Sequence, residues 1–225
     1  MPEPANLREA RERTDWKKWE AAMREEASSL KENSVWETCD LPPGRKIVSC
    51  KWIFKLKTLP DGASKHKARL VARGFSQVEG VDFTETFAPV IRFQSLRMLL
   101  AIANAEDMLV HQMDVKTAFL YGDIDAEIFM DFPEGMEGAE DGKVCRLNKS
   151  LYGLKQSPRC WNQKLDDFLT SNGFVPSFYD TATYTKGDGD SKVMIGVFVD
   201  DLLIASKLVG SIQEVKQTLS NRFKM

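Results

Sequence analysis

The most constraining feature of the sequence is a pair of apolar runs separated by two aspartates. Residues 193–199 read VMIGVFV and residues 202–205 read LLIA, with Asp200 and Asp201 between them. Runs this short and this apolar are typical of strands buried in a sheet, and two residues can close an antiparallel hairpin. We therefore expect a core hairpin whose turn carries both carboxylates. Taken alone, an Asp-Asp pair usually marks no more than a turn, because Asp is a favoured turn residue.

The rest of the chain alternates predicted helices with short predicted strands. Helical periodicity is present over residues 14–33, 94–105, 157–172 and 209–223. Strands are predicted at 109–115, 127–133 and 143–147, and in a hairpin that turns at Pro60-Asp61-Gly62. Since the connections are too short for parallel crossovers, we predict an α+β fold with a largely antiparallel sheet packed on helices. Residues 1–13 are predicted to form a disordered tail, and residues 14–225 one domain without repeats or linkers.

The composition excludes several classes of protein. Of the 225 residues, 43% are hydrophobic and 28% are charged, as in ordinary globular proteins. No apolar run approaches the roughly 18–20 residues that span a bilayer, and the polar N-terminus is not a secretory signal. The four cysteines are far apart in the sequence, which favours reduced thiols in an intracellular protein over a zinc site or disulfides. We expect no membrane partner.

Charge is sorted along the chain although the formal net charge is only −2. Residues 45–73 contain nine basic side chains and one acid, whereas residues 123–141 contain eight acids and no base. On the return strand of the basic hairpin, alternation predicts that Lys65, Lys67 and Arg69 share one face. Such charge runs are often only a solvated surface, and by charge alone that interpretation and a polyanion-binding face carry equal weight.

A third carboxylate completes a possible metal site. Asp114 ends the apolar strand predicted at residues 109–115, at the same kind of step from apolar to polar residues that contains Asp200 and Asp201. If the two strand ends adjoin, the carboxylates converge on one rim, where their repulsion is tolerable only with a cation between them. Hard oxygen ligands suit Mg²⁺, and two such ions can support attack by a 3′-hydroxyl and departure of pyrophosphate.

Four motifs in this order make the chain resemble the reverse transcriptase of copia-type long-terminal-repeat retrotransposons, a segment of the Pol polyprotein. They are the hairpin region KWIFKLK with KHKARLVARGFSQ, then MDVKTAFLYG, KSLYGLKQSPRCW and FVDDLLIA. The resemblance runs from Trp16 to Met225. It implies the fingers and palm of a right-hand polymerase without its thumb, and RNA-directed DNA polymerase activity with two Mg²⁺ ions, Mn²⁺ being a possible substitute.

The resemblance assigns roles to individual residues. As catalytic residues it implies Asp114, Asp200 and Asp201, which would bind the metals together with the backbone carbonyl of Val115. As residues of the deoxynucleotide site it implies Lys67, Arg69, Phe119, Tyr152 and Gly153. Phe119 would exclude a 2′-hydroxyl by steric conflict, and Gly153 would let the backbone approach the base pair closely. As contacts to the nucleic-acid backbone it implies Lys55, Lys65, Arg73 and Lys155.

The resemblance also implies partners and a location. The partners would be an RNA template, a DNA primer and deoxynucleotides, with integrase, thumb and ribonuclease H segments elsewhere in a full-length element. The location would be the cytoplasm, in virus-like particles, with a possible nuclear stage. Because relatives continue beyond a motif like NRFKM, we expect a C-terminally truncated domain with little processive synthesis. The alternatives are an inactive remnant that only binds RNA or a protein partner and, less favoured, a hydrolase of phosphate esters.

Overall fold

A computed structural model describes residues 2–225, and this part of the chain contains five α-helices and eleven strands. The helices are α1 (Leu7–Arg11), α2 (Trp16–Glu32), α3 (Phe93–Ala105), α4 (Ser157–Ser171) and α5 (Val209–Arg222). The first strands are β1 (Trp36–Asp40), β2 (Ile47–Val48), β3 (Cys50–Thr58), β4 (Ser64–Ala72), β5 (Leu109–Asp114) and β6 (Phe129–Met130). The others are β7 (Lys143–Leu147), β8 (Val175–Pro176), β9 (Thr183–Lys186), β10 (Val193–Phe198) and β11 (Asp201–Ser206). The predicted α+β class is confirmed.

The chain forms two compact units, and the grouping of residues 14–225 into one domain of fingers and palm stays a prediction. The first unit contains the residues up to Thr86 together with Asp123–Cys160, and the second contains Phe87–Gly122 together with Trp161–Met225. Each unit is therefore assembled from two separate stretches of chain. This interleaving explains why the sequence has no linker: the passage from one unit to the other occurs within ordinary ordered segments, including α4.

The first unit is built around the β3–β4 hairpin, whose two faces differ in chemistry. Buried side chains of one face, among them Phe54 and Leu70, pack towards α2, where the Trp19 ring lies edge-on to Phe54 with centroids 5.4 Å apart. On the other face the antiparallel register puts Lys55 opposite Lys67 and Lys57 opposite Lys65. A second sheet of this unit has the strand order β1-β7-β6-β2, and only its β2–β6 pair is parallel.

The second unit is a five-stranded antiparallel sheet with the order β5-β11-β10-β9-β8. Apolar residues of β10 and β11, such as Ile195 and Ile204, are fully buried in a core shared with Trp161 and Leu165 of α4 and with Leu219 of α5. A smaller cluster on α3 and the sheet contains Leu99, Ala103, Met194 and Ala205. The apolar runs of the sequence thus form the predicted buried hairpin, but its turn is Val199-Asp200 rather than Asp200-Asp201, because Asp201 pairs with Phe198 as the first residue of β11.

The predicted disordered tail at residues 1–13 is wrong for most of its length; Met1 lies outside the described residues. Leu7–Arg11 form α1, and the Asn6 carboxamide caps it by accepting a hydrogen bond from the Glu9 N–H at 2.9 Å. Leu7 and Ala10 are buried. Their spacing of three puts both on one helix face, and burial of that face offsets the weak propensity of so short a helix.

Other differences from the predicted elements are local. The sequence did not indicate β1, β8 or β9, nor the single 3₁₀ turn that follows Asp114 at Ala118–Tyr121. Strand β8 has two residues, so its pattern carries too few positions to be recognised. Within residues 2–225 no helix is long and apolar enough to cross a membrane.

A buried carboxylate on α2 provides a test of how the hairpin is held. Glu26 is 7% exposed, its Oε1 accepts the Leu70 N–H at 3.3 Å, and burial raises the pKa of its carboxyl above the ordinary 4.5. Below pH 4.5 the carboxyl is neutral in both the folded and the unfolded protein, and the free energy of unfolding has its full value. It falls as the pH rises through the raised pKa, because the unfolded chain ionises first. Glu26→Gln keeps an acceptor without the charge, so we predict a higher urea midpoint than wild type, with a difference that grows from pH 4.5 to pH 8.

The matched control is Glu25→Gln, because Glu25 is the exposed neighbour on the same helix. Glu25 lies 3.9 Å from Lys65 and its charge contributes to the raised pKa of Glu26, so Glu25→Gln should shift the urea midpoint much less than Glu26→Gln at each pH. A Glu26→Gln protein that is less stable than wild type at pH 8 would show that the ionised carboxylate is favourable there.

Candidate active site

Three carboxylates lie at one end of the sheet of the second unit. Strand β11 pairs with β5 so that Asp201 is directly opposite Asp114, and it pairs with β10 so that Asp201 is opposite Phe198. Directly opposed residues of an antiparallel pair point to the same face, with Cβ atoms about 4.5–5.5 Å apart. Asp200 lies in the two-residue turn that joins β10 to β11. The strand ends that the sequence analysis required to adjoin therefore do adjoin.

The turn that carries Asp200 has a strained backbone that two hydrogen bonds restrain. Val199 has φ of +58°, a left-handed conformation that is unusual for a β-branched residue. Its carbonyl accepts a hydrogen bond from the indole N–H of Trp161, a side chain only 1% exposed, at 2.7 Å. The next carbonyl, of Asp200, accepts the Val115 N–H at 2.9 Å. Both peptide groups of the turn are thus fixed to buried residues of the same unit.

The environment of the carboxylates suits a cation. The Gln112 carboxamide donates to Asp201 Oδ1 at 2.9 Å, and Asp114 is exposed. Neither Asp114 nor Asp201 is salt-bridged to a basic side chain in residues 2–225. Opposed like charges without a counter-charge cost free energy, and oxygen donors of this kind are the ligands Mg²⁺ prefers. The donors are not preassembled, because no three His, Cys, Asp or Glu side chains of the described chain form a ready metal cluster.

The other residues predicted around the carboxylates belong to the segment after β5. Val115 is buried in the core of the second unit, with its N–H on the Asp200 carbonyl. Phe119 lies in the 3₁₀ turn Ala118–Tyr121 and is partly buried against the same core. The turn begins after Thr117, which has φ of +54°. The segment is thus bent sharply within a few residues of Asp114, which keeps Phe119 near that end of β5.

Two residues predicted to bind the nucleotide lie together in the first unit. The Arg69 guanidinium is 4.1 Å from the centroid of the Tyr152 ring, a cation–π contact. Lys67 and Lys65 share the face of β4 that carries Arg69, opposite the buried Ala68 and Leu70.

The remaining predicted phosphate contacts have individual environments. Lys55 Nζ is 2.5 Å from Glu3 Oε2, an exposed ion pair that a polyanion would have to displace. Arg73 is exposed just beyond the end of β4, and its N–H donates to the Ser49 carbonyl at 2.7 Å. The Lys155 ammonium lies 4.8 Å from the centroid of the Phe83 ring. Of these cations, Arg73 and Lys155 form no salt bridge with any described residue.

Gly153 is in a closer backbone contact than its predicted role requires. It has φ of +91°, and a Cβ there would lie 2.1 Å from the Ala72 carbonyl oxygen and 2.6 Å from Val71 Cγ1. The neighbouring Tyr152 carbonyl accepts the Ala72 N–H at 2.8 Å. The glycine is therefore needed to dock the loop on the end of β4, whatever its contact with a base pair.

Sequence reasoning missed a buried amide network beside this loop. Gln77 Nε2 donates to Gln156 Oε1 at 3.0 Å, and Gln156 Nε2 donates to the Asp82 carbonyl at 2.7 Å. The Lys155 N–H donates to Gln77 Oε1 at 2.8 Å. Both glutamines are buried, and buried polar groups that are fully paired rigidify their surroundings. The signal in the sequence was two glutamines in otherwise irregular segments, which identifies no partner.

Comparison with known proteins establishes the family. Residues 33–225 match the family model described as "Reverse transcriptase (RNA-dependent DNA polymerase)". The chain belongs to this family. The resemblance inferred from the four motifs is confirmed.

Relatives from plant transposons extend the comparison. The chain is 43% identical over 228 residues to the retrovirus-related Pol polyprotein from transposon TNT 1-94 of Nicotiana tabacum, which covers 99% of this chain and 17% of that polyprotein. It is 38% identical over 211 residues to the polyproteins from transposons RE1 and RE2 of Arabidopsis thaliana, covering 92% of this chain and 14% of each polyprotein. The chain thus spans a small part of these relatives.

Among solved structures, a foamy viral protease-reverse transcriptase in complex with double-stranded DNA matches with a TM-score of 0.42 and 14% identity. The match covers 92% of this chain and 30% of the viral chain. A likeness of this strength supports no conclusion about individual residues.

The close approach of Gly153 can be tested by comparison with Gly44, which also has a positive φ but has room for a Cβ. Gly153→Ala introduces both a left-handed alanine and a clash with the Ala72 carbonyl, so we predict a loss of about 2–4 kcal/mol in the free energy of unfolding. Gly44 has φ of +79° and no atom within 4 Å of an added Cβ. Gly44→Ala should cost only about 1–2 kcal/mol. Equal losses in urea titrations would contradict the close approach.

The restraint on the turn can be tested through Trp161. Trp161→Phe removes the indole N–H and should cost about 1–3 kcal/mol, because the Val199 carbonyl loses its partner. It should also speed hydrogen exchange at the Val115 amide, whose acceptor is the next carbonyl of the turn. Trp52→Phe is the control, since it loses a comparable indole bond to the Glu134 carbonyl in the first unit. Unchanged exchange at Val115 in Trp161→Phe would contradict the restraint.

Proposed function

We propose that this chain is the catalytic portion of an RNA-directed DNA polymerase, with its nucleotidyl-transfer centre at the end of β5 and β11. The observation that carries the proposal is the register that opposes Asp201 to Asp114 while the Val115 N–H binds the Asp200 carbonyl. Membership of the reverse transcriptase family supports it. In this proposal the second unit is the palm and the first unit corresponds to the fingers.

Asp114, Asp200 and Asp201 would hold two divalent cations, Mg²⁺ by ligand hardness and Mn²⁺ as a substitute, with the Val115 carbonyl as a further ligand. When bound, such ions lower the barrier by polarising phosphate oxygens and activating a hydroxyl nucleophile. Substitution at the nucleotide joins the primer 3′-hydroxyl oxygen to the α-phosphorus, and the bond to the leaving pyrophosphate breaks. The protein's part is to orient the carboxylates at one rim.

The surrounding residues support that orientation. The Gln112 carboxamide fixes one oxygen of Asp201, leaving the other available to a ligand. Trp161 and Val115 hold the peptide groups on either side of the Asp200 side chain. Positioning of this kind matters because small displacements of a reacting group reduce rates strongly. In our proposal Phe119 selects deoxynucleotides by excluding a 2′-hydroxyl.

The basic face of the β3–β4 hairpin would bind phosphates. Two lysine pairs stand directly opposite each other across the hairpin, and phosphates could replace Glu3 and Glu25, the carboxylates that pair with Lys55 and Lys65. Lys67 and Arg69 would contact the triphosphate, with Tyr152 and Gly153 lining the nucleotide site. Lys55, Lys65, Arg73 and Lys155 would follow the backbone of the nucleic acid. Contacts of this type give salt-sensitive binding that does not depend on sequence.

The wider setting of the activity is part of the same proposal. The template would be RNA or DNA, the primer DNA, and the substrates deoxynucleotides. The plant relatives are named Pol polyproteins, and in our proposal integrase, thumb and ribonuclease H segments accompany the domain in such a polyprotein. Synthesis would then occur inside the cell, in virus-like particles with a nuclear stage afterwards.

The test is addition of a single deoxynucleotide to a DNA primer on an RNA template, with Mg²⁺ present. Asp200→Asn keeps the shape of the side chain and removes its charge. We predict that it lowers the rate by about two orders of magnitude or more, since several kcal/mol of charge stabilisation depends on cations held there. Asp188→Asn, at an exposed position before a 3₁₀ turn of the same unit, should leave the rate unchanged.

Binding is measured separately from activity by the broadening that Mn²⁺ causes in amide NMR signals. The amides of Asp114 and Asp201 should broaden in wild type and in Asp188→Asn, and much less in Asp200→Asn. Broadening at these sites without nucleotide addition would favour the inactive remnant. Equal addition by wild type and Asp200→Asn would remove Asp200 from the mechanism.

A further inference from the structure

The first unit presents one large aromatic side chain almost entirely to solvent. Phe75 lies in the 3₁₀ turn Gly74–Ser76 and is 82% exposed. By contrast, Ala72 before the turn and Gln77 after it are buried. An apolar ring exposed to this degree gains nothing from the hydrophobic effect in the free protein. Its position therefore needs a reason other than the core of this unit.

The turn beneath Phe75 is rigid. Gly74 is buried so tightly that a Cβ would lie 2.1 Å from the Gly153 carbonyl oxygen. Ser76 donates to the Arg73 carbonyl through both its N–H, at 3.0 Å, and its hydroxyl, at 2.9 Å. Gln77 is 6% exposed and joins the buried amide network. Phe75 is thus held on a fixed support, so a ligand would not have to order the backbone when it binds.

Two exposed cations belong to the segments joined at this turn. Arg73 comes two residues before Phe75 on the chain. Lys155 is joined to the turn through its backbone, because its N–H donates to the side chain of Gln77, two residues after Phe75, while its ammonium lies 4.8 Å from the centroid of the Phe83 ring. Neither cation is salt-bridged to a described residue. Proteins bind single-stranded nucleic acid with exposed flat rings and cations in the same surface, since bases stack on the rings while phosphates meet the cations.

We propose that Phe75 is a stacking platform for an unpaired base of a single-stranded nucleic acid, with Arg73 and Lys155 binding the adjacent phosphates. The proposal rests on the proposed function and deepens it, because it assigns the binding of an unpaired template segment to a residue of this turn. It commits to a nucleobase rather than a protein partner because Arg73 and Lys155, the exposed charges joined to this turn, are both basic, whereas the acids Glu79, Asp82 and Glu85 lie further along the chain. An apolar protein surface would not require those cations.

The experiment measures binding of a short, fluorescein-labelled single-stranded RNA to the full chain by fluorescence anisotropy across a range of salt concentrations. Phe75→Ala should weaken binding about 5- to 100-fold at every salt concentration, the range expected for loss of one base–aromatic stack. The slope of affinity against salt should not change, because no charge is lost. Phe75→Trp, which keeps a flat ring, should bind as tightly as wild type or more tightly.

Three controls separate stacking from other effects. Phe75→Leu keeps an apolar side chain without a flat ring, so it should bind as weakly as Phe75→Ala. Arg73→Gln should lower affinity mostly at low salt and reduce the salt slope by about 0.7. Phe178→Ala removes an aromatic that is 93% exposed in the second unit and should leave binding unchanged. Since Phe75 is at the surface, its variants should keep the urea midpoint of the wild type.

The outcomes distinguish this inference from the proposed function. If wild type binds RNA and Phe75→Ala binds equally well, the stacking role is wrong while the proposed function stands. Full binding by Phe75→Leu would also overturn the stacking role, because it would show apolar contact rather than stacking. If the wild-type chain binds no nucleic acid at all, both proposals fail.

Discussion

The pairing of β11 with β5 is the interaction on which the candidate site depends. Asp114 and Asp201 are far apart in the sequence, and they face each other only because this register is fixed. Since side chains alternate along a strand, a slip of one residue would move Asp201 to the face now occupied by Leu202 and bury its charge in the core. The apolar residues of β10 and β11 thus determine where the carboxylates can be. The hydrophobic core and the acidic rim are consequences of the same register.

Much of the fold and of the candidate site could be predicted from the sequence. The features that could not be predicted have a common cause. The end of β5 was predictable because its apolar run stops at Asp114, and the basic face of β4 follows from alternation, whereas β10 ends at Phe198, one residue before its apolar run does. The roles of Gly153 and Trp161 were not. Each depends on one contact with a residue distant along the chain, namely the Ala72 carbonyl and the Val199 carbonyl. Periodicity reports which face is buried, but it does not report which atoms meet there.

The same limit explains the error at the N-terminus. Helix α1 has only five residues, and its stability comes from burying Leu7 and Ala10, a gain that local sequence does not express. The bounds of the two units were not predicted because they fall inside ordinary segments. The strain at Val199 was not predicted either, because the apolar run placed Asp200 and Asp201, rather than Val199, in the turn.

Both units keep like charges opposite each other, and this shared feature restricts the ligand. In the first unit Lys55 opposes Lys67 and Lys57 opposes Lys65, and in the second Asp114 opposes Asp201. In the first unit Lys55 and Lys65 also pair with Glu3 and Glu25, so carboxylates of the protein offset part of the repulsion. In the second unit no basic side chain of residues 2–225 forms a salt bridge with Asp114 or Asp201. The acidic rim therefore depends on a cation more than the basic hairpin depends on an anion.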